Sequence, residues 1–276
     1  MGSLVMLTDR QWFFCAILMY GVSVIYSVFL WRKGFRKDDW VNYVLLLAGF
    51  AMHTTALMLR GFSFNRCPVN NLFEATMFVD WSAVGVYLVL GLIPKIRFLG
   101  AFASPIFFFL GIYALMPGLD HHDPDGEITK NWAVSLHAVL ILVSYGSFGL
   151  CAVASCMFLI QERNLKKHNI SAILSVLPPI QRLEAVAGKL LIGGLVLLTL
   201  GLALAPLIVK DKENLVFYED AKILWSMLVW AAYAVIVSAR WKWHFGGKRL
   251  AWCLIAGFVF LILTFSATNM MSDLHR

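Results

Sequence analysis

Eight apolar stretches of membrane-spanning length limit what this chain can fold into. They cover residues 12–31, 41–60, 73–93, 97–116, 133–160, 187–209, 222–239 and 250–269. A helix needs about 20 mainly apolar residues to cross a bilayer core of roughly 30 Å. Backbone groups in lipid must also pair internally. The sequence therefore predicts an all-α polytopic membrane protein, a bundle of eight transmembrane helices in a single domain over residues 1–276.

Lysine and arginine alternate between the two sides of this predicted bundle. Most of them lie in the connections after the first, third, fifth and seventh stretches: Arg32, Lys33, Arg36, Lys37, Lys95, Arg97, Arg163, Lys166, Lys167, Arg182, Lys189, Arg240, Lys242, Lys248 and Arg249. Because basic loops stay in the cytoplasm, both termini are predicted to lie outside. Topology and anionic inner-leaflet lipid account for the net charge of +7, so no nucleic-acid partner is needed.

Motifs of several common protein classes are absent from the sequence. It contains no phosphate-binding glycine loop and no Ser-His-Asp spacing. It also lacks C-x-x-C-H, the attachment motif of c-type cytochromes. Four of the five cysteines lie inside apolar stretches and Cys67 stands alone in an outside loop. Neither a disulfide nor a zinc framework is expected.

Histidines are concentrated on the predicted outer side. His137 lies one turn into the fifth stretch and His275 is the penultimate residue. Two imidazoles on one side of a bundle could supply the axial ligands of a haem iron or part of a metal site. His53 lies within the second stretch, where a histidine is either a ligand or a neutral residue hydrogen-bonded to a neighbouring helix.

Other polar residues leave more than one interpretation open. Residues 121–126 hold two histidines and two aspartates, which could bind a divalent metal, although a solvated turn is the favoured interpretation. Glu74 and Asp80 lie in the third stretch, where carboxylates need partners. The sequence does not identify those partners.

Several segments follow one another in an order that matches a known family. They are residues 67–74, Leu136-His137 with Ser144-Tyr145, residues 197–201, Asp220 to Trp225 continuing to Trp230 and Tyr233, and Asn269 with Leu274-His275. In order, spacing and sidedness they resemble the cytochrome c assembly proteins, membrane haem-handling proteins of the CcsA, CcmC and HemX type. No single segment carries the resemblance alone.

The resemblance implies roles for the matching residues. His137 and His275 would be the two external axial ligands of haem. His53 would be one of a pair of histidines that holds haem within the membrane. The residues framing the external haem would be Asp220, Trp225 and Trp230.

Two departures from the family pattern mark a divergent member with a degenerate tryptophan-rich signature. Phe217 and Glu219 stand where signature tryptophans are expected. Ser238 stands where the second membrane histidine is expected, and serine is a poor haem ligand. His53 is therefore expected to act alone or to be structural.

Haem itself sets further expectations. Haem b, the expected cofactor, is a flat apolar ring with two propionates, and a groove between helices supplies apolar walls. Arginine and lysine on the outer side can pair with the propionates. Arg60, Arg66 and Lys222 are the candidates, because of their predicted side and their proximity to the matching segments.

The leading functional prediction is haem binding and presentation at the outer face of the bacterial cytoplasmic membrane for cytochrome c maturation. The protein would be a non-catalytic member of an assembly complex in the lipid bilayer, with a membrane partner that has a large external domain. One alternative is a regulator of haem biosynthesis that acts through residues 162–189. Another is a secondary transporter in which His53, Glu74 and Asp80 form an ion path.

Overall fold

A computed structural model describes residues 7–32, 39–64, 67–69, 71–94, 96–120, 132–166, 179–209, 221–243 and 245–271. The helices are α1 (Asp9–Arg32), α2 (Asp39–Phe64), α3 (Leu72–Gly91), α4 (Leu99–Ala114), α5 (Trp132–Lys166), α6 (Ile180–Val209), α7 (Ala221–Lys242) and α8 (Gly247–Met271). A 3-10 turn at Pro117–Leu119 follows α4. No β-strand occurs within these ranges, and each predicted apolar stretch coincides with a helix. The all-α class is therefore confirmed.

Six of these helices, α1, α2, α3, α5, α6 and α7, are long and apolar enough to cross a membrane. Helix α4 has 16 residues. It spans about 24 Å at 1.5 Å per residue, less than the bilayer core of roughly 30 Å. Helix α8 has 25 residues. Spanning length and composition are thus established for six of the eight predicted spans.

Helix α6 begins well before the predicted residue 187. It starts at Ile180, directly after Pro179, so Arg182 lies in a helix and not in a loop. Its first turns are amphipathic, with Leu183 and Val186 buried while Gln181 is exposed. The mean hydropathy of such a segment is low, because the polar residues on the exposed face offset the apolar residues on the buried face. Hydropathy therefore places the start of the helix too late.

The chain forms two compact units, and the first comprises Met1–His122. Helix α1 packs against α2 and α4, and α3 packs against α4 and α2. Large aromatic side chains fill the interior of this first unit: Phe13, Tyr20, Phe73, Tyr87 and Phe107. The same interior also contains charged and polar residues, which the next subsection places.

The second unit comprises Asp123–Arg276. Helix α5 packs against α6 and α8, and α7 contacts α6 and α8. Phe148 of α5 and Tyr233 of α7 stack with ring centroids 3.7 Å apart. These contacts place the middle of α5 inside the unit.

Many of the large apolar side chains point away from both interiors. Ile25 of α1 is 73% exposed and Phe62 of α2 is 76% exposed. Val235 of α7 is also exposed. Water-soluble proteins rarely expose large contiguous apolar surface, whereas lipid solvates it.

Candidate functional site

His53 is fully enclosed in the first unit. Its Nδ1 lies 3.2 Å from the Tyr20 hydroxyl, and its ring lies 4.8 Å from that of Phe13 between centroids. The imidazole also interacts with the backbone of Met77, but Nε2 has no partner within hydrogen-bond geometry among the described residues. Because His53 has no exposed surface, a haem ring cannot reach its imidazole in this arrangement of helices.

Arg60 holds together one end of the first unit. Its Nε donates to Glu74 Oε1 over 2.9 Å and its Nη1 to Asp9 Oδ2 over 3.0 Å. Its Nη2 donates to Asp120 Oδ1. The guanidinium also lies 4.9 Å from the ring centroid of Phe73. We call Arg60, Asp9, Glu74 and Asp120 the arginine clamp. Arg60 is therefore the partner of Glu74 that the sequence did not identify.

The segment that resembles the family at residues 67–74 builds the start of α3. Asn71 is its N-cap, and Asn71 Oδ1 accepts a hydrogen bond of 2.7 Å from the Glu74 N–H. Asn71 Nδ2 donates to Asp120 Oδ1 over 2.9 Å. An N-cap side chain satisfies one of the unpaired donors of a helix start. The polar residues of this segment therefore connect α3 to the arginine clamp.

His137 is held in the second unit by a backbone carbonyl. Its Nδ1 lies 2.7 Å from the Gly201 oxygen, across the interface between α5 and α6. A carbonyl oxygen only accepts hydrogen bonds, so Nδ1 carries the hydrogen and Nε2 of the neutral ring keeps its lone pair. Metal-bound histidines are commonly oriented in this way by a second group. The sequence identified His137 but not its orienting partner.

Gly201 permits this contact because α5 and α6 approach closely there. A Cβ at this position would lie 2.9 Å from Ile141 Cγ1 and 3.4 Å from Leu140 Cβ. Ile141 is one turn from His137 on α5, so both residues lie on the face of α5 that meets α6. Any larger residue at position 201 would press the helices apart and move the carbonyl away from the imidazole.

Helix α7 contacts the same end of α6. Trp230 Nε1 donates to Thr199 Oγ1 over 2.9 Å, and Thr199 lies two residues before Gly201. The Trp225 ring lies 6.2 Å from that of Phe260 in α8, between centroids. Both tryptophans are 38% exposed. Thr199 and Gly201 are two residues apart and therefore lie on nearly opposite sides of α6, so Trp230 and His137 contact different faces of that helix.

Several predicted site residues lie outside the described part of the chain. They are His275, Arg66, Asp220 and the histidine-rich residues 121–126, and the side chain of Lys222 joins them. Ser238 is described and lies exposed on α7. Within the described ranges, no group of three or more His, Cys, Asp or Glu side chains could hold a metal ion. Of the two predicted external iron ligands, His137 is thus the one whose surroundings the structure describes.

Comparison with known proteins identifies the family. The model of a family described as Cytochrome C assembly protein matches residues 69–275. The chain belongs to the cytochrome c assembly protein family. Protein HemX of Bacillus subtilis is 26% identical over 94% of this chain and 94% of its own length. Cytochrome c biogenesis protein CcsA of Mesostigma viride is 23% identical over 93% of this chain and 90% of its own.

A third member, Protein NrfI of Wolinella succinogenes, is much longer than the matching segment. It is 28% identical over 69% of this chain but only 21% of its own length. The family match begins at α3 and includes His137, Gly201 and Trp230, while His53 and Arg60 precede it. With six helices of spanning length, membership of this family identifies a multi-pass integral membrane protein.

Proposed function

We propose that this protein binds haem and presents it at the outer face of the membrane in support of cytochrome c maturation. Membership of the cytochrome c assembly family supports the role in maturation. The observation that supports haem ligation is the hydrogen bond from His137 Nδ1 to the Gly201 carbonyl. It holds the ring in the tautomer whose Nε2 can coordinate iron.

In this proposal His275 supplies the second axial ligand, while Asp220, Trp225 and Trp230 frame the external haem. Arg66 pairs with a propionate. Arg60, another of the three propionate candidates, is already engaged by three carboxylates. A propionate would have to replace one of these carboxylates, so the first role that we assign to Arg60 is to hold the clamp together.

Of the two histidine positions that the structure describes, His137 is the one that supports haem ligation. His137 is partly exposed, and its Nε2 makes no hydrogen bond to any described residue. His53 is enclosed by Phe13 and Tyr20. When bound as haem b, the cofactor would supply an iron that needs one or two imidazoles. His53 could bind the haem iron only after the first unit opens.

The proposed architecture has all eight helices crossing the bacterial cytoplasmic membrane, both termini outside, as one haem-handling domain. Basic residues on alternate connections support this orientation. A membrane partner with a large external domain would deliver the apocytochrome. NrfI, of which the match covers only 21%, is long enough to contain such a domain within one chain.

A visible absorption spectrum of the detergent-purified protein tests the proposal. Haem held by two imidazoles should give a Soret band and, after reduction, sharp α and β bands. His275→Gly should broaden or remove these bands, because one axial ligand is lost. A featureless spectrum after haem supplementation, from protein that remains monodisperse and helical, would exclude haem binding.

A further inference from the structure

Asp80 is a buried carboxyl without a partner in the part of the chain that the structure describes. It lies in the third turn of α3 with no exposed surface, and neither oxygen has a hydrogen-bond partner among the described residues. Glu74, six residues earlier on the same helix, is equally buried but paired with Arg60. Glu74 therefore has a positively charged partner, whereas Asp80 has none among the described residues.

The described groups around Asp80 provide no compensating positive charge. From α1, Tyr20 is close enough to interact with it electrostatically. From α4, the Gly111 backbone approaches so closely that a Cβ there would lie 3.6 Å from Asp80 Oδ2. From α2, His53 contacts Tyr20, and Arg60 is engaged in the clamp. An ionised carboxylate in such a place is strongly unfavourable, so the group is stable there only when it carries a proton.

A set of small polar side chains lies between this level and the opposite end of the unit. Ser23, one turn beyond Tyr20 on α1, has its hydroxyl 2.6 Å from the Asn42 amide. The hydroxyls of Ser27 and Ser104 are 3.2 Å apart. All four residues are buried. Asn42 lies in the first turn of α2, so these polar groups reach the end of the unit opposite the arginine clamp.

The clamp end, in contrast, is closed by aromatic rings. Phe13 contacts His53 and Phe73, with ring centroids 4.8 Å and 5.8 Å away. The Arg60 guanidinium lies 4.9 Å from the ring centroid of Phe73. Aromatic rings therefore separate the interior from the clamp. Towards Asn42, Tyr20 packs against Phe107 with ring centroids 6.3 Å apart, and the hydroxyl and amide groups begin at Ser104, one turn from Phe107 on α4.

We propose that Asp80 is an intramembrane proton-binding site that is loaded from the Asn42 end of the unit. A proton from water at that end forms an O–H bond at Asp80, its carboxylate becomes a neutral carboxylic acid, and no electrons are transferred. Release of the proton would leave an unpaired charge among α1 to α4, so it favours opening of the unit. In the orientation proposed above, the Asn42 end is cytoplasmic. The site itself does not depend on haem.

Carbodiimide labelling of haem-free protein in proteoliposomes tests this inference. Dicyclohexylcarbodiimide enters membranes and reacts with protonated carboxyls, so mass spectrometry should find an adduct at Asp80. Glu74 is the matched control, since it is as buried but ion-paired and should stay unmodified. In infrared spectra, Asp80→Asn should remove the C=O stretch of a protonated carboxylic acid, while Glu74→Gln should leave it.

The direction of access has its own test. Asn42→Leu should slow deuterium exchange of the Asp80 acid several-fold, whereas Phe13→Leu should not slow it. The inference is overturned if Asp80 is not labelled while Glu74 is, or if Asp80→Asn leaves the acid band unchanged. Exchange that is unaffected by Asn42→Leu overturns the proposed route. Since all readouts use haem-free protein, failure here is distinct from failure of haem binding.

Discussion

The orientation of the His137 imidazole depends on a single glycine, Gly201. Gly201→Ala should weaken haem retention, because the new Cβ meets Ile141 Cγ1 at 2.9 Å and separates the carbonyl from Nδ1. Loss of an orienting partner typically costs a metal site 10–100-fold in affinity, so we expect a decrease of about 10-fold or more. Haem titration followed in the Soret band measures it.

Gly193→Ala on the same helix is the matched control. A Cβ at that position has nothing within 4 Å, and alanine favours a helix over glycine by roughly 0.5–1 kcal/mol. Gly193→Ala should therefore keep haem affinity and stability. Equal affinities for the two variants would show that the contact between His137 and Gly201 does not matter for binding.

Arg60 should matter more for the stability of the first unit than any one of its acids. Arg60→Gln leaves three carboxylates without their shared cation, and breaking a buried pair from one side costs about 3–5 kcal/mol. Glu74→Gln removes one of three partners and should cost about 1–3 kcal/mol. Thermal unfolding in detergent should rank Arg60→Gln below Glu74→Gln, and the reverse order would contradict the clamp.

At the scale of helices, the hydrogen bond between Thr199 and Trp230 should connect α6 and α7. Hydrogen bonds between helices in membrane proteins contribute about 0.6 kcal/mol on average and up to about 1.7 kcal/mol. Thr199→Val and Trp230→Phe each remove the bond of 2.9 Å. In a double-mutant cycle on unfolding free energy, we expect a coupling of about 1 kcal/mol. Additive effects would mean that the bond contributes nothing.

The helices were predictable from the sequence because hydropathy reports apolar runs directly. The start of α6 was not, since its first turns alternate exposed polar and buried apolar residues. His137 was identified from its position at the outer end of a span and then from its resemblance to a family motif, but its bond to the Gly201 carbonyl was not predictable. A backbone acceptor has no residue type that a sequence could reveal.

The arginine clamp is a second feature that was not predictable from the sequence. Asp9, Glu74 and Asp120 come from α1, α3 and the segment after α4, so only the packing of those helices brings them to Arg60. The sequence identified Glu74 as a carboxylate that needs a partner. It could not choose among the available cations, and it assigned Arg60 to a propionate instead.

For the whole molecule, the orientation in the membrane determines which sites face outwards. Basic residues alternate between the connections of the predicted spans, so both termini should lie outside. Reporter fusions at each terminus should be active only for a reporter that works outside the cytoplasm. Activity of a cytoplasmic reporter at both ends would invert the bundle and move the His137 site to the inner side.

The proposed function depends on His137 coordinating haem through Nε2. The most direct measurement is the haem spectrum of His137→Gly with and without added imidazole, beside His53→Gly as the matched substitution. Each glycine costs roughly 1 kcal/mol of helix propensity, so the protein levels of both variants are measured as well. We expect His137→Gly to lose most of its bound haem and imidazole to restore it, while His53→Gly loses little. Full haem retention in His137→Gly, or greater loss in His53→Gly, would contradict the account.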